Sequence, residues 1–295
     1  MATAQAKEQG NFGQMDDLDN KLAVVTGAAS GIGFGICEAF LAQGMRVVMV
    51  DIESAALIQA ANWLSARYDS EVYTRIVDVR DKQAVFSLAE ELTTTFSQID
   101  VVCNNAGVGG PIGSRFIWDT VTADWDWMFG VNFFGVLHGV QAFMPILLKQ
   151  NAGHMVNTSS IMGLNTGLGG IYGISKHAVT RLSEEMYFNL RSSGAEVGVS
   201  VLCPGLVASK INSAMRNRPD NLKNQAFLVT DEIRDRIEKT EDHYLQQGMS
   251  ALEVGERVVA AINDRQFYIL THPQMKAGVE KRFQAIMNEL PPEAS

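Results

Sequence analysis

The chain has 295 residues, 46% of them hydrophobic, enough to bury a sizeable core in one large α/β domain or two small ones. Its net charge of -9, from 24 Lys and Arg against 33 Asp and Glu, argues against nucleic acid or an anionic membrane as the main partner. No apolar run approaches the roughly 18 residues of a membrane helix, and the first residues lack the basic start and apolar core of a signal peptide.

Cysteine and histidine spacing does not indicate a metal site. Cys37, Cys103 and Cys203 lie far apart among apolar residues, and the histidines are scattered, with no H-E-x-x-H motif. We therefore expect buried free thiols, a reducing cytoplasmic location and no bound metal, although a ligand set assembled only by folding would escape this test. Residues 1–20 are polar and aperiodic, which predicts a flexible arm before one domain over residues 21–290.

The first elements of the domain form a predicted β-α-β unit. An apolar, β-branched strand over 21–26 leads into a glycine-rich turn over 27–33. A helical pattern follows and ends at Gly44, and the next strand covers 45–51. The turn therefore joins a buried strand to the start of a helix.

The glycines of this turn predict a site for a dinucleotide. Gly27, Gly31 and Gly33 would bring backbone N–H groups close to a pyrophosphate at the helix N-terminus. Their spacing is G-x-x-x-G-x-G, and many strand–helix turns contain two glycines, so the turn alone is weak support. Asp51 ends the second strand, where a carboxylate can accept hydrogen bonds from a ribose diol and repel a 2′-phosphate. This pattern favours NAD over NADP, whereas a solvated strand-end aspartate is the plainer interpretation.

The rest of the chain continues the alternation of strands and helices. The predicted strands cover 71–78, 99–107, 153–159, 196–203 and 266–272, and the predicted helices cover 54–67, 81–97, 122–129, 131–150, 172–193, 251–264 and 274–289. Aromatic residues over 118–150 are interpreted as core and interface packing rather than a cofactor box. The polar stretch over 210–250 is the longest interruption and a candidate lid.

This alternation predicts an α/β fold with a doubly wound parallel sheet. In such sheets ligands bind outside the carboxyl ends of the strands. The glycine turn, Asp51, residues 104–107, Ser160 and residues 204–205 all follow strand ends. We therefore expect them to share one crevice.

The stretch 157–176 carries the candidate chemistry of that crevice. Tyr172 and Lys176 would lie four residues apart on one helix face, where the lysine cation lowers the pKa of the phenol. A tyrosine whose pKa approaches neutrality can give or take a proton in catalysis. A chance Y-x-x-x-K in a solvated helix is the plainer alternative, and the convergence on one crevice argues against it.

Together these motifs resemble the short-chain dehydrogenase/reductase family in its single-domain form: TGAASGIG (26–33), NNAG (104–107), Asn132, Ser160, YGISK (172–176) and PGLVAS (204–209). The resemblance covers about residues 20–272 and implies a Rossmann fold with strand order 3-2-1-4-5-6-7. It implies hydride transfer between NAD(P) and an alcohol or ketone. The catalytic tetrad would be Asn132, Ser160, Tyr172 and Lys176, with Asn132 holding a water of a proton relay.

The resemblance also implies the cofactor contacts. They are Gly27, Ser30, Gly31, Ile32 and Gly33 at the pyrophosphate; Asp51 at the ribose; Asp78 and Val79 at the adenine; Asn105, with Ala106 and Gly107 after it, at the adenosine side; Tyr172 and Lys176 at the nicotinamide ribose; and Pro204, Gly205, Val207 and Ser209 at the nicotinamide. The spacing from Ser160 to Tyr172 is one residue shorter than the family's usual pattern. Ser159 therefore stays open as the active hydroxyl, although we choose Ser160.

The substrate prediction rests on weaker likenesses. Segments 211–219 and 267–287 resemble a bacterial subset of the family that includes Cα-dehydrogenases of bulky aryl secondary alcohols. We expect a bulky, aromatic secondary alcohol or its ketone, in an apolar pocket lined by Met162, Leu164, Met215 and Phe227. A steroid, sugar or acyl-thioester substrate is the alternative.

Proteins of other classes are less compatible with these motifs. A non-catalytic NAD-binding protein would not need Ser160, Tyr172 and Lys176 together. An epimerase or dehydratase of the same fold would need a larger substrate domain. Helices 131–150 and 172–193 resemble those that pair across subunits in the family, which implies a homotetramer or a homodimer.

Overall fold

The computed structural model describes residues 17–109, 116–167, 169–223, 235, 239–240, 242–243 and 245–293. Its centre is one parallel sheet with the strand order β3-β2-β1-β4-β5-β6-β7. The predicted fold class and strand order are both confirmed. The strands are β1 Leu22–Thr26, β2 Arg46–Asp51, β3 Val72–Ile76, β4 Val101–Asn104, β5 His154–Thr158, β6 Gly198–Cys203 and β7 Tyr268–Leu270.

Helices cover both faces of the sheet, which is why the central strands are apolar along their whole length. All residues of β1, β4, β5 and β6 are buried. The helices are α1 Gly31–Ala42, α2 Ser54–Ser65, α3 Lys82–Thr95, α4 Thr122–Phe129, α5 Gly135–Gln150, α6 Gly170–Ser193, α7 Ala251–Asn263 and α8 Lys276–Met287.

Each face of the sheet has its own core. On one face Ile36 and Phe40 of α1 pack with Leu57 of α2 and Val254 and Val258 of α7. The core of the other face is built from α3, α5 and α6, and its largest buried residues include Leu92, Phe143, Leu147 and Leu190. The start of α1 and the first turns of α6 reach the crevice from the two faces.

Helices α4 and α5 join through a π-helical turn, Gly130–Phe134, into one continuous helix. By length and apolar composition, the helix Thr122–Gln150 could cross a membrane, contrary to our expectation of no such segment. Its inner side packs against α3 and β4, and Trp127, Val136 and Phe143 are buried there. It is therefore a core helix of the domain, and its inward aromatic residues serve packing as predicted.

The inserted segment between β6 and α7 is closed at its base. Met249 donates its N–H to the Leu206 carbonyl (2.9 Å), and Ala208 donates to the Met249 carbonyl (2.9 Å). Within it, Ile211–Asn217 and Asp220–Leu222 are 3₁₀-helical. The predicted lid over 210–250 starts inside this loop, although residues 224–234 lie outside the described part of the chain.

The described end of the predicted N-terminal arm contacts the domain. Leu18 is buried in the core, and Asn20 donates its N–H to the Gly44 carbonyl (3.0 Å). The packed part of the chain therefore begins a few residues before Lys21, where we had placed the domain boundary.

Candidate active site

One cavity of about 1290 Å³ runs along the carboxyl ends of the central strands. It brings together nearly all of the residues predicted to hold a cofactor. Those that line it are Gly27, Ser30, Gly31, Ile32, Asp51, Asp78, Val79, Asn105, Ala106, Gly107, Tyr172, Lys176, Pro204, Gly205, Val207 and Ser209. The expected convergence on one crevice is present.

The glycine turn presents bare backbone to this cavity. Gly27 has φ +67°, and a Cβ there would lie 2.8 Å from the Ala106 Cα. Gly31 has φ +55°, and its Cβ would lie 3.0 Å from the Ser209 Cβ. Because side chains would fill this space, the turn fits a pyrophosphate held by N–H groups at the start of α1. Gly33 is not among the residues that line the cavity. A Cβ at this position would collide with the Gly27 carbonyl oxygen, so the lack of a side chain allows α1 to pack against the turn.

The carboxylate of Asp51 is held in place at the end of β2. Its Oδ2 accepts a hydrogen bond from the Ala29 N–H (2.9 Å), and its Oδ1 accepts one from the Glu53 N–H (3.0 Å). These two backbone donors orient the group along the cavity wall. An ionised carboxylate there can accept bonds from a ribose diol.

Asn105 ties three strand ends together below the glycine turn. Its Nδ2 donates to the Thr26 carbonyl (2.9 Å), and its Oδ1 accepts from the Thr158 hydroxyl (3.2 Å). The Thr26 hydroxyl in turn accepts from the Asn105 N–H (2.9 Å). The Asn105 side chain therefore fixes the floor of the cavity by bonds within the protein.

Asp78 carries a partner that the sequence pattern did not predict. The Arg80 guanidinium binds both of its carboxylate oxygens, with Nη2 at 2.5 Å from Oδ2 and Nε at 3.1 Å from Oδ1. Both residues line the cavity next to Val79. A base bound here would meet an ion pair rather than a free carboxylate.

Helix α6 places Tyr172 in its first turn and Lys176 one turn later. Lys176 is 2% exposed, and its Nζ donates to the Thr158 carbonyl (2.9 Å) and lies 5.7 Å from the centroid of the Tyr172 ring. Burial lowers the pKa of Lys176 to about 8, while negative charge on Cys203 would raise it. At pH 7 the group is still mostly a cation, as its predicted role beside the phenol requires.

The two neighbouring serines have different surroundings. The Ser159 hydroxyl donates to the Lys176 carbonyl (2.8 Å) and pairs with the Thr180 hydroxyl (2.8 Å), both on α6. The Ser160 hydroxyl accepts from the Met162 N–H (3.1 Å) and lies 3.5 Å from the Pro204 carbonyl oxygen, at the loop side of the cavity. Both serines line the cavity, but Ser159 has two bonds to α6, and Ser160 stays our prediction for the hydroxyl that meets a substrate.

Asn132 lies in the π-helical turn, behind the cavity wall. It is fully buried, its Oδ1 accepts from the Val108 N–H (2.8 Å), and its Nδ2 donates to the Val108 carbonyl (3.0 Å) and to the Ser175 hydroxyl (3.2 Å). A π turn widens the helix locally and is frequent at functional sites. Here it aims an amide at the backbone of the loop after β4 and at helix α6.

The predicted substrate residues have mixed outcomes. Met162 lines the cavity and is 38% exposed. Leu164 is buried in a separate cluster with Val201 and Cys203 and is not among the residues that line the cavity. Met215 packs against the second core and is not among the lining residues either. Phe227 lies outside the described residues.

The C-terminal segment forms a wall of the cavity that the sequence reasoning missed. Met275, Gly278, Pro292 and Glu293 line it, and the Thr166 hydroxyl donates to the Glu293 carbonyl (2.6 Å). Glu53 and Arg216 are further lining residues that were not predicted. No local pattern signals these positions, since folding alone brings residue 293 to residue 166 and residue 216 to residue 53.

Comparisons with known proteins agree with this geometry. The family model described as short chain dehydrogenase matches residues 21–220. A C alpha-dehydrogenase of Sphingobium sp. strain SYK-6 is 30% identical over 94% of this chain and 89% of that protein. A 1-deoxy-11-beta-hydroxypentalenate dehydrogenase of Streptomyces avermitilis is 36% identical over 75% of this chain and 80% of its own length.

A solved structure is similar over nearly the whole chain. It is a short chain dehydrogenase/reductase from Burkholderia phymatum in complex with NAD, 39% identical in sequence, with a TM-score of 0.88. The similarity covers 95% of this chain and 99% of that one.

Proposed function

Because this chain belongs to the short chain dehydrogenase family, we propose that it is an NAD-dependent oxidoreductase that interconverts a secondary alcohol and its ketone. One observation carries the proposal: Ser160, Tyr172 and Lys176 line the same cavity as the bare backbone of the glycine turn. A proton-transfer group and a dinucleotide cradle in one cavity are what alcohol oxidation needs. A protein that only bound the dinucleotide would not need the proton-transfer group.

The proposed cofactor is NAD, held by residues 27–33 and by Asp51. When bound, it supplies the acceptor for the hydride that leaves the alcohol carbon. Asp51 favours NAD because its ionised carboxylate would repel a 2′-phosphate at the ribose. The Burkholderia structure, which holds NAD, supports the same choice.

Tyr172 is the proposed acid and base. In the oxidation its phenolate takes the proton of the substrate hydroxyl, and in the reduction its phenol returns that proton to the oxygen. Moving the pKa of a tyrosine from about 10 to about 7 requires about 4 kcal/mol of differential stabilisation. The buried cation of Lys176, close to the ring, can supply much of it in a partly dry cavity.

The other two members of the predicted tetrad position the reactants. Ser160 donates a hydrogen bond to the substrate oxygen, which holds it near the phenol. The structure leads us to assign Asn132 a positioning role, because its amide links the loop after β4 to α6 through Val108 and Ser175. A water of a proton relay would have to lie beside that amide rather than replace its bonds.

We further propose that the substrate is bulky and aromatic. The cavity is large, Met162 offers an adaptable apolar surface, and the C-terminal segment extends the wall beyond the nicotinamide end. The similarity to a C alpha-dehydrogenase over most of the chain points to the same substrate class. The three cysteines are buried and free, in keeping with our proposed cytoplasmic location.

A panel of alcohols tests this function. Reduction of NAD⁺ would be followed by absorbance with aryl secondary alcohols, steroids, sugars and acyl-thioester hydroxy compounds, each repeated with NADP⁺. We expect the highest kcat/KM with NAD⁺ and a bulky aryl alcohol. Saturation only with small polar polyols would refute the substrate class, and no reduction of either cofactor by any member would refute the activity.

A further inference from the structure

The ribose corner of the cavity contains an ion pair between two distant parts of the chain. Arg216, on the inserted segment, places its Nη2 2.6 Å from the Glu53 Oε1 and its Nε 3.1 Å from the Glu53 Oε2. Asn217 adds a third bond, with its Nδ2 2.9 Å from the Glu53 Oε1. Three donors of the inserted segment therefore converge on one carboxylate.

The residue that carries this carboxylate is bonded through its backbone to Asp51, the aspartate proposed to bind the ribose. The Glu53 N–H donates to the Asp51 Oδ1, and both side chains line the cavity. The bond from Arg216 lowers the pKa of Glu53, so the group is ionised at neutral pH. Arg216 lines the same cavity as Asp51, and its charge is already paired with that of Glu53.

We propose that Glu53 is a second cofactor-specificity residue, which acts by keeping Arg216 away from the 2′ position of the adenosine ribose. A guanidinium is the group that best binds a phosphate through paired hydrogen bonds. Glu53 binds the Nε and Nη2 donors of the Arg216 guanidinium, whose Nη1 donates to the Lys210 carbonyl and the Ser213 hydroxyl. It also adds a second negative charge near Asp51. NADP is therefore disfavoured for two reasons. The carboxylates of Asp51 and Glu53 repel its 2′-phosphate, and Arg216, which would bind that phosphate, is held by Glu53.

The ion pair between Arg216 and Glu53 is weak enough that a phosphate can compete with Glu53 for the guanidinium. The side chain of Arg216 is 38% exposed and that of Glu53 is 27% exposed, so water reaches both. Exposed ion pairs of this kind contribute little free energy. If Glu53 lost its charge, Arg216 would be free to bind a phosphate instead. Arg80 also lines the cavity, but its partner Asp78 lies only two residues away, whereas the partner of Arg216 is on a distant segment.

Calorimetric binding of adenosine fragments tests this inference, which rests on the proposed nucleotide site. The probes are 5′-ADP and 2′,5′-ADP, and the variants are Glu53→Gln, Arg216→Gln and the double variant. We expect Glu53→Gln to tighten 2′,5′-ADP by about tenfold, the size of one charge-assisted bond, with 5′-ADP nearly unchanged. The double variant should lose the gain. Glu90→Gln, which removes the same charge from the exposed side of α3, should change neither.

Two outcomes would overturn the inference. The first is an affinity for 2′,5′-ADP that does not change in Glu53→Gln. The second is an equal loss of affinity for both fragments, which would mean that Glu53 only latches the inserted segment. The proposed function fails separately, if 5′-ADP and NAD⁺ do not bind the unmodified protein at all. The ratio of NADP⁺ to NAD⁺ turnover in the same variants gives a second readout.

Discussion

At the scale of single residues, the two adjacent serines differ in what their hydroxyls can reach. We predict that Ser160→Ala lowers kcat by about 10²- to 10³-fold, the usual cost of losing one donor to a reacting oxygen, and leaves NAD⁺ binding intact. Ser159→Ala should retain turnover and lose about 1–3 kcal/mol of stability, because it removes buried bonds to α6. Steady-state kinetics and urea unfolding separate the two effects, and loss of turnover in Ser159→Ala alone would reverse the assignment.

Lys176 gives a pH signature, because its pKa is about 8 in the folded protein against an ordinary value of 10.5. Below pH 8 both the folded and the unfolded state bind the proton, so stability does not change with pH through this group. Between the two pKa values the unfolded state binds more protons, so stability rises with pH, by up to about 3 kcal/mol in total. Lys176→Met should lack this rise.

Urea unfolding at pH 7 and pH 10 measures that difference. The free energy of unfolding of the unmodified protein should increase relative to that of Lys176→Met as the pH rises. The other ionisable groups are shared by both proteins and largely cancel in the comparison. A difference that stays constant with pH would show that Lys176 keeps an ordinary pKa in the fold.

At the scale of elements, a buried ion pair anchors the inserted segment to α4. Arg218 and Asp124 are each 3% exposed, with the Arg218 Nη2 2.7 Å from the Asp124 Oδ1. The guanidinium also lies 5.1 Å from the centroid of the Trp127 ring, and its Nε donates to the Leu222 carbonyl (2.7 Å). Among the described residues, the Asp124 Oδ2 has no hydrogen-bond partner. This pair therefore costs desolvation and depends on both members.

We predict that Asp124→Leu or Arg218→Met alone destabilises the protein by about 3–5 kcal/mol, because each leaves an uncompensated buried charge. The double variant Asp124→Leu with Arg218→Met should recover most of the loss. Arg216→Gln, at the exposed pair two residues earlier, is the matched control and should change stability little. Additive losses in the double variant would mean that the pair does not act as a unit.

Strands and helices were predictable because their patterns are local. Apolar runs such as 21–26 indicate strands buried on both faces, and the glycine turn predicts the start of α1. Leu164 and Met215 were predicted to line the cavity and instead pack in apolar clusters, because an apolar residue in a loop carries no signal of which side it packs on. The π turn at Asn132 was missed because residues 127–136 are mostly apolar, so the phase shift that an extra residue introduces is not visible in the pattern.

At the scale of the whole molecule, long-range contacts complete the site. Sequence placed the catalytic and cofactor residues in one crevice because strand ends of a parallel sheet converge. It could not place Glu293 beside Thr166 or Arg216 beside Glu53, because those contacts join segments far apart in the chain. The cavity floor was predictable, and its outer walls were not.

The outer faces of α5 and α6 lead to a prediction about assembly. Leu148 of α5 and Phe188 of α6 are 42% and 64% exposed, and Phe134, in the π turn just before α5, is 46% exposed. We propose that these faces pair with a second copy. Phe188→Glu should then reduce the mass measured by light scattering, because a charge would be buried at the interface. Phe283→Glu, on the exposed side of α8, is the control. A monomeric unmodified protein would contradict the proposal.

The central claim is that Tyr172 moves the proton in an NAD-dependent alcohol oxidation, and the Tyr172→Phe variant tests it most directly. The measurement combines NAD⁺ affinity by calorimetry with turnover of the best alcohol in the panel. The account predicts unchanged NAD⁺ binding and turnover lowered by at least about 10²-fold, since only the hydroxyl is removed. Turnover close to that of the unmodified protein would contradict it.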